Sequence, residues 1–261
     1  MCEPQGWSGA DGDPAEAEGG VAPAAGVRAR DTGDMSGERV AEESGFRLLY
    51  VCTGNICRSP FAEILTRHLL IGRLGGRAAA RFDVGSAGVE AVVGHGVHPL
   101  SRAELAPWGL DRTAADRFAA RRLGPEMVDE ADLVLGASPR HRSSVVERNP
   151  AGLSKTFAVR EFARLAAAVD PAELPDEPVA RAHALVVAAR ARRGLLPPVP
   201  PDEERIPDPI RGGPDQHHAA AVLLRDAVTT VVDAVAPPAP GVGPVRPVPA
   251  AAGGSLPRGR R

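Results

Sequence analysis

Residues 46–60 read FRLLYVCTGNICRSP, and this segment decides the fold. Its first six residues are mostly apolar and are bounded by Gly45 and by Gly54-Asn55, which predicts a strand that ends at Cys52. Ser59 and Pro60 are typical of a helix start, and apolar residues follow them at helical spacing. A strand, a tight loop and a helix in this order direct backbone N–H groups and the positive helix end toward a bound anion.

The residue types within the loop favour phosphate chemistry at sulfur. Gly54 and Asn55 tolerate the unusual backbone angles that converging amides require. Arg58 carries a planar fork that can pair with two phosphate oxygens, and its charge together with the helix end favours the thiolate of Cys52. Ser59 is placed to donate a hydrogen bond to that sulfur. The loop therefore predicts a cysteine nucleophile that attacks phosphorus while the amides and Arg58 hold the oxygens.

This segment closely resembles the phosphate loop of the low-molecular-weight protein tyrosine phosphatases, whose pattern is Cys-x-Gly-Asn-x-Cys-Arg-Ser-Pro after a strand. The resemblance covers residue 46 to about 165 and again 205 to 235. It implies that Cys52 is the nucleophile, Arg58 the phosphate clamp and Asp208 the proton donor, and that Ser86 hydrogen-bonds Asn55. The phosphate-binding residues that it implies are Thr53, Gly54, Asn55, Ile56, Cys57, Arg58 and Ser59.

Asp208 also suits its role by residue type. A leaving alkoxide or phenolate needs a proton, and the second step needs a base that activates water, so one carboxyl group can serve both steps. Asp208 precedes Pro209 and lies between a charged segment and Gly212-Gly213, just ahead of the last predicted helix. An Asp-Pro pair is equally a common turn signal.

Apolar and amphipathic segments alternate along the chain. This pattern predicts a single α/β domain at 46–235, with a mainly parallel four-stranded sheet and helices on both faces. Residues 166–206 form an apparent insertion with one helix, interpreted either as a cap over the site or as a passive surface helix. Acidic residues 1–45 and Pro- and Ala-rich residues 236–261 are expected to be disordered tails. The predicted strands are 46–52, 81–86, 131–137 and 155–159, and the predicted helices are 59–74, 99–107, 122–130, 139–148, 160–168, 178–193 and 214–235.

The segments expected around the site depart from the family's usual pattern. Members that act on phosphotyrosine commonly have an aromatic residue after the pair that corresponds to Asp208-Pro209 and after the turn that corresponds to Ser86-Ala87-Gly88. Here these places hold Ile210 and the segment 89–93. We therefore expect an aliphatic rim formed by Val92, Val93 and Ile210, which leaves the preference for phosphotyrosine open.

The composition of the chain limits which kinds of partner and which cellular compartment we expect. The 261 residues carry a net charge of −2, which gives no general argument for nucleic-acid or membrane partners. We expect a cytoplasmic protein, because the sequence has only three cysteines, no long apolar run and no signal-like start. The ratio of one lysine to thirty arginines is typical of a high-GC bacterium. The expected partner is a phosphorylated protein or a small phosphate ester, and the chemistry requires no metal or other cofactor. His217 and His218 are adjacent and are interpreted as helix surface.

Two rival functions use the same loop. The first is an arsenate reductase, because some relatives use this same loop to reduce arsenate. That reaction needs further cysteines, and the chain has none after Cys57. A non-catalytic module would bind a phosphorylated partner without turnover, which an intact set of Cys52, Arg58 and Asp208 disfavours. Cys57 is expected either to trap oxidised Cys52 in a disulfide or to pack under the loop.

Overall fold

The computed structural model describes residues 45–238. The predictions of disordered tails at 1–45 and 236–261 fall almost entirely outside these residues and stay predictions. None of the helices in residues 45–238 combines the length and the hydropathy that a membrane-spanning helix requires.

Four parallel strands form one sheet in the order β2-β1-β3-β4. Their bounds are Phe46–Cys52 for β1, Phe82–Gly88 for β2, Leu133–Gly136 for β3 and Thr156–Ala158 for β4. The predicted α/β class and four-stranded parallel sheet are confirmed. The second strand runs two residues beyond its predicted end because Gly88 still pairs with Cys52 of β1.

Seven α-helices occur in the described part of the chain, each close to its predicted place. The first begins at Arg58 and continues past a kink at Gly75, where φ is 73°. The predicted helix at 99–107 is shorter than expected and is followed by a 3-10 turn at Ala106–Trp108. The bounds are Arg58–Ala79 for α1, Pro99–Ala103 for α2, Pro125–Glu130 for α3, Pro139–Arg148 for α4, Val159–Ala167 for α5, Pro178–Arg192 for α6 and Pro214–Val235 for α7.

Alternate residues of β1 enter two apolar clusters on opposite faces of the sheet. Leu48 and Tyr50 pack into the larger cluster with buried residues of α1, α5, α6 and α7. Leu49 and Val51 pack into a smaller cluster with buried residues of α3 and α4. Successive side chains of a strand point to opposite faces of the sheet, and helices cover both faces here, as predicted. Both sets of alternating positions in β1 are therefore mainly apolar.

The strand order places the end of β1 at a topological switch point. The chain leaves β1 toward β2 on one side, and it later returns to β3 on the other side of β1. In open parallel sheets the crevice outside such a switch is where ligands bind. Cys52 is the last residue of β1, so the loop of interest opens into this crevice.

The helix of the apparent insertion is part of the core. Residues of α6 that face inward include Ala182 and Leu185, which are buried in the larger cluster. The buried Arg181 donates from Nε to the carbonyl of Ala234 at 2.7 Å and from Nη1 to that of Pro175 at 3.0 Å. The helix therefore supports the sheet and α7 and is not a passive surface element.

We predict that Leu185→Ala lowers the free energy of unfolding by about 2–5 kcal/mol, because it removes a fully buried side chain and leaves a cavity. The matched control is Val187→Ala on the same helix, whose side chain is 68% exposed and whose truncation should cost less than about 0.5 kcal/mol. Urea unfolding of the two variants measures both values. Equal small losses would contradict a core role for α6.

Candidate active site

The loop between β1 and α1 turns its carbonyl groups outward. Backbone N–H groups of residues 89–98 donate hydrogen bonds of 2.7 to 3.0 Å to four loop carbonyls, those of Cys52, Thr53, Gly54 and Ile56. The C=O and the next N–H of a trans peptide point in opposite directions. The N–H groups that follow these carbonyls therefore point toward the inside of the loop, at the amino end of α1, where they form a cradle for an anion.

Asn55 fixes this loop conformation. Its φ of 54° lies in the left-handed region, and its side chain is fully buried. Nδ2 donates to Oγ of Ser59 at 2.9 Å and to Oγ of Ser86 at 2.8 Å, and Oδ1 accepts from the N–H of Arg121 at 2.8 Å. Both N–H groups and the carbonyl of the amide are thus satisfied. The expected bond between Ser86 and Asn55 is present.

The donors of Asn55 determine where the two serine protons point. Since Ser59 and Ser86 each accept a hydrogen bond from Asn55, their own hydroxyl protons are available to other acceptors. Ser59 lies 3.0 Å from Sγ of Cys52, and Ser86 donates to a carboxylate oxygen of Glu63 at 2.7 Å. Burial raises the pKa of Glu63. The Ser59 hydroxyl is thus directed at the sulfur, where it stabilises negative charge.

Arg58 and Asp208, which are 150 positions apart in sequence, are in contact. The Arg58 guanidinium is buried, and its Nη2 donates to Oδ2 of Asp208 at 2.6 Å while Nη1 donates to the carbonyl of Ile206 at 3.2 Å. Its Nε is buried and has no partner among the described residues. The guanidinium therefore holds an unused donor beside the loop.

A chain of three polar side chains, which no sequence pattern indicated, lies beside the loop. His141 of α4 contacts Oγ1 of Thr53 through Nε2 at 3.0 Å and Oγ of Ser138 through Nδ1 at 2.7 Å. Burial and the nearby Arg58 charge lower the pKa of His141 to about 4, although Asp208 opposes them. The imidazole is therefore neutral at neutral pH, and it orients the Thr53 hydroxyl without adding charge.

A cavity of about 410 Å³ opens over these groups. Arg58, Thr53 and Asp208 are among the residues that line it. Its wall is rich in charged side chains contributed by α4 and by the end of the insertion. The lining residues are Thr53, Arg58, Val89, Glu90, Ser138, Arg140, His141, Ser144, Arg148, Arg205 and Asp208.

The residues of the predicted aliphatic rim do not form the wall of this cavity. Val92, Val93 and Ile210 are exposed, but none of them lines the cavity. The wall instead carries Arg140 and Arg148, because α4 starts directly after β3 and places its polar side beside the loop. No phenyl, phenol or indole ring belongs to the residues that line this cavity.

Comparisons with known proteins fit this geometry. Residues 47–185 match the family described as low molecular weight phosphotyrosine protein phosphatase. The chain belongs to this family. It is 35% identical over 117 residues to a protein-arginine-phosphatase of Geobacillus stearothermophilus, and the aligned residues cover 45% of this chain and 71% of the relative. It is 32% identical over 129 residues to the low molecular weight protein-tyrosine-phosphatase Etp of Escherichia coli K12, covering 49% of this chain and 75% of that protein.

The solved structure of the YwlE arginine phosphatase from Geobacillus stearothermophilus superposes with a TM-score of 0.50 at 26% identity, covering 72% of this chain and 91% of that one. These matches confirm the predicted family and a cysteine-based phosphatase. Cys52 and Arg58 lie inside the family match, whereas Asp208 lies beyond its end at residue 185.

One interpretation of the phosphatase sequence was wrong. His217 was expected on the surface of the last helix, yet the structure buries it almost completely. Its Nδ1 contacts Oγ of Ser101 at 2.8 Å, and its ring stacks on that of His98. The neighbouring His218 is mainly exposed and contacts Glu104, in line with the expectation.

We predict that Gly88→Ala lowers kcat/KM for an aryl phosphate by about 10- to 100-fold, because small displacements of a catalytic loop have effects of this size. A Cβ at Gly88 would lie 2.5 Å from the carbonyl oxygen of Thr53 and 2.9 Å from the N of Asn55. The control is Gly96→Ala, where an added Cβ meets no atom within 4 Å. Steady-state kinetics of both folded variants measure kcat/KM. An unchanged kcat/KM of Gly88→Ala would count against a tightly held loop.

Proposed function

We propose that the protein hydrolyses phosphomonoesters through a cysteinyl-phosphate intermediate, with Cys52 as nucleophile, Arg58 as phosphate clamp and Asp208 as proton donor. The observation that carries the proposal is the placement of Sγ of Cys52 in a loop whose outward carbonyls leave its amides facing inward, beside the buried Arg58. Such donors stabilise the charge that develops on the phosphoryl oxygens. The groups present suffice for this chemistry without a metal ion.

In the first step the Cys52 thiolate attacks phosphorus, so that an S–P bond forms and the bond from phosphorus to the leaving oxygen breaks. Asp208 gives its proton to that oxygen. In the second step Asp208, now a carboxylate, takes a proton from water as the water oxygen attacks phosphorus and the S–P bond breaks. The Ser59 hydroxyl, 3.0 Å from Sγ, stabilises the departing thiolate.

The contact between Arg58 and Asp208 balances charge at the site. The 2.6 Å pair gives the buried guanidinium a counter-charge. A phosphate dianion would take over the Arg58 donors, including the unused Nε, and place negative charge beside Asp208. Asp208 would then be released from Arg58 and available to the leaving group.

Phosphotyrosine in proteins is the first candidate substrate, because the family and relatives such as Etp carry that activity in their names. Phosphoarginine is the second candidate; it is a phosphoramidate and not an ester, so the bond that breaks would be P–N and Asp208 would give its proton to the leaving nitrogen. It is favoured by the relative named protein-arginine-phosphatase and by a cavity lining without a phenyl, phenol or indole ring on which a tyrosine ring could stack. Parallel hydrolysis of phosphotyrosine and phosphoarginine peptides of one sequence ranks the two by kcat/KM.

The two rival functions are less well supported. Reduction of arsenate needs thiols that relay oxidising equivalents, and the described residues contain only Cys52 and Cys57. A binding module without turnover has no use for a carboxyl group at the mouth of the phosphate cradle.

We expect Cys52→Ser to reduce hydrolysis of an aryl phosphate to background, because a hydroxyl in place of the thiolate is a far weaker nucleophile at neutral pH. The measurement is phosphate release by the wild type and by the variant, with trapping of radiolabelled phosphoenzyme in the wild type. No turnover by the wild type would contradict the enzyme, and turnover that survives in Cys52→Ser would contradict the nucleophile.

Asp208→Asn should slow the release of poor leaving groups by about 10²- to 10⁴-fold and that of good leaving groups much less, since only poor ones need the proton. Pre-steady-state bursts with a series of substituted phenyl phosphates measure this dependence on leaving-group pKa. An equal loss across the series would indicate that Asp208 positions Arg58 and does not donate the proton.

The arginines of the cavity wall predict a preference for acidic sequence around the phosphorylated residue. Arg140→Gln should lower kcat/KM several-fold for a phosphopeptide with acidic neighbours and leave a small aryl phosphate unaffected, with a smaller difference at 1 M salt, where charges are screened within about 3 Å. Arg117→Gln is the matched control, because it removes the same charge from an exposed residue that does not line the cavity. Equal behaviour of the two variants would contradict a role of the wall in substrate choice.

A further inference from the structure

A second cluster of reactive side chains lies behind the phosphate loop. Cys57 ends the loop, His98 precedes α2, and His217 belongs to the first turns of α7. One ligand atom from each lies within 4.8 Å of the other two, and Cys57 and His217 are buried. The cluster thus joins three separate parts of the chain.

His217 carries a donor atom that the fold does not use. Its side chain is only 1% exposed, and its Nδ1 lies 2.8 Å from Oγ of Ser101. Its Nε2 is buried and has no hydrogen-bond partner of acceptable geometry among the described residues. Burial and the neighbouring His98 lower the pKa of His217, and Glu104, Asp208 and the Pro209 backbone oppose these effects. A neutral imidazole with Nδ1–H directed at Ser101 presents the lone pair of Nε2, which is the tautomer that metal-binding histidines adopt.

We propose that Cys57, His98 and His217 form a binding site for Zn²⁺ that is separate from the phosphate cradle. A thiolate and two imidazoles are ligands that zinc prefers, and three protein ligands leave a fourth position for water. Zn–S and Zn–N bonds of about 2.3 and 2.0–2.1 Å set tetrahedral ligand separations of about 3.3–3.6 Å. The three side chains need to close by about 1 Å to reach them.

Two local changes accompany binding. The thiol proton of Cys57 leaves, against a pKa that burial raises to about 11, so each bound ion releases this proton. His98 currently accepts the N–H of Leu100 at Nδ1 over 3.3 Å, a long bond that it gives up when the ring binds metal. Ser101 remains as the outer partner of the His217 ring, the arrangement that fixes a metal-binding histidine.

The test uses the full chain with Cys2→Ser and Cys52→Ser, so that Cys57 is the remaining thiol. Titration with Co²⁺ should give one ion per chain, a sulfur-to-cobalt charge-transfer band and the intense visible bands of a tetrahedral site, and Zn²⁺ should displace the cobalt. His217→Gln and His98→Gln should abolish these bands. His218→Gln is the matched control and should retain them, because His218 contacts Glu104 outside the cluster.

A second measurement does not depend on the histidine variants folding. Zn²⁺ should raise the melting temperature of the Cys2→Ser, Cys52→Ser chain, as any ligand of the native state does, and should not raise it when Cys57→Ala is added. Absence of the thiolate–cobalt band, or a band that survives in a folded His217→Gln protein, would overturn the proposal. An unchanged melting temperature at saturating Zn²⁺ would overturn it as well.

Discussion

The left-handed backbone of Asn55 is the constraint on which the site depends. A non-glycine residue at a φ of 54° is held there by a fully buried amide whose donors and acceptor are all used. Loss of any partner would leave a buried polar group unsatisfied, which costs about 1–3 kcal/mol. The same amide sets the proton of Ser59 toward Cys52, so one side chain determines both the loop geometry and the environment of the sulfur.

Arg58 is the central cation of the proposed phosphate site. A buried guanidinium needs a negative partner, and Asp208 supplies one at 2.6 Å. Under the proposed mechanism, the arriving dianion replaces this partner and frees Asp208 at the moment when a proton donor is needed. In that mechanism, one exchange of partners at Arg58 both binds the substrate and releases Asp208 from its ion pair. No separate event is needed to release Asp208.

Contiguous features of the fold could be predicted from the sequence, whereas contacts between distant segments could not. The strand, loop and helix around Cys52 are specified by neighbouring residues, and the bounds of β1, α4 and α7 were accurate. Periodicity shows that His217 and His218 point in different directions, but it does not show which side another element covers. The contacts of His141 with Thr53 and the arginine wall of α4 were missed for the same reason, because a polar helix side looks solvated until its neighbours are known.

Position 57 shows how one residue of this loop can take part in two independent structures. The N–H of Cys57 follows the outward carbonyl of Ile56 and therefore points toward the inside of the loop. The sulfur of Cys57 lies within 4.8 Å of a ligand atom of His98 and of His217. Phosphate binding by a loop of this kind relies on main-chain amides, which every residue type except proline supplies. The thiol at this position is therefore not required by the cradle, which leaves it available to the cluster with His98 and His217.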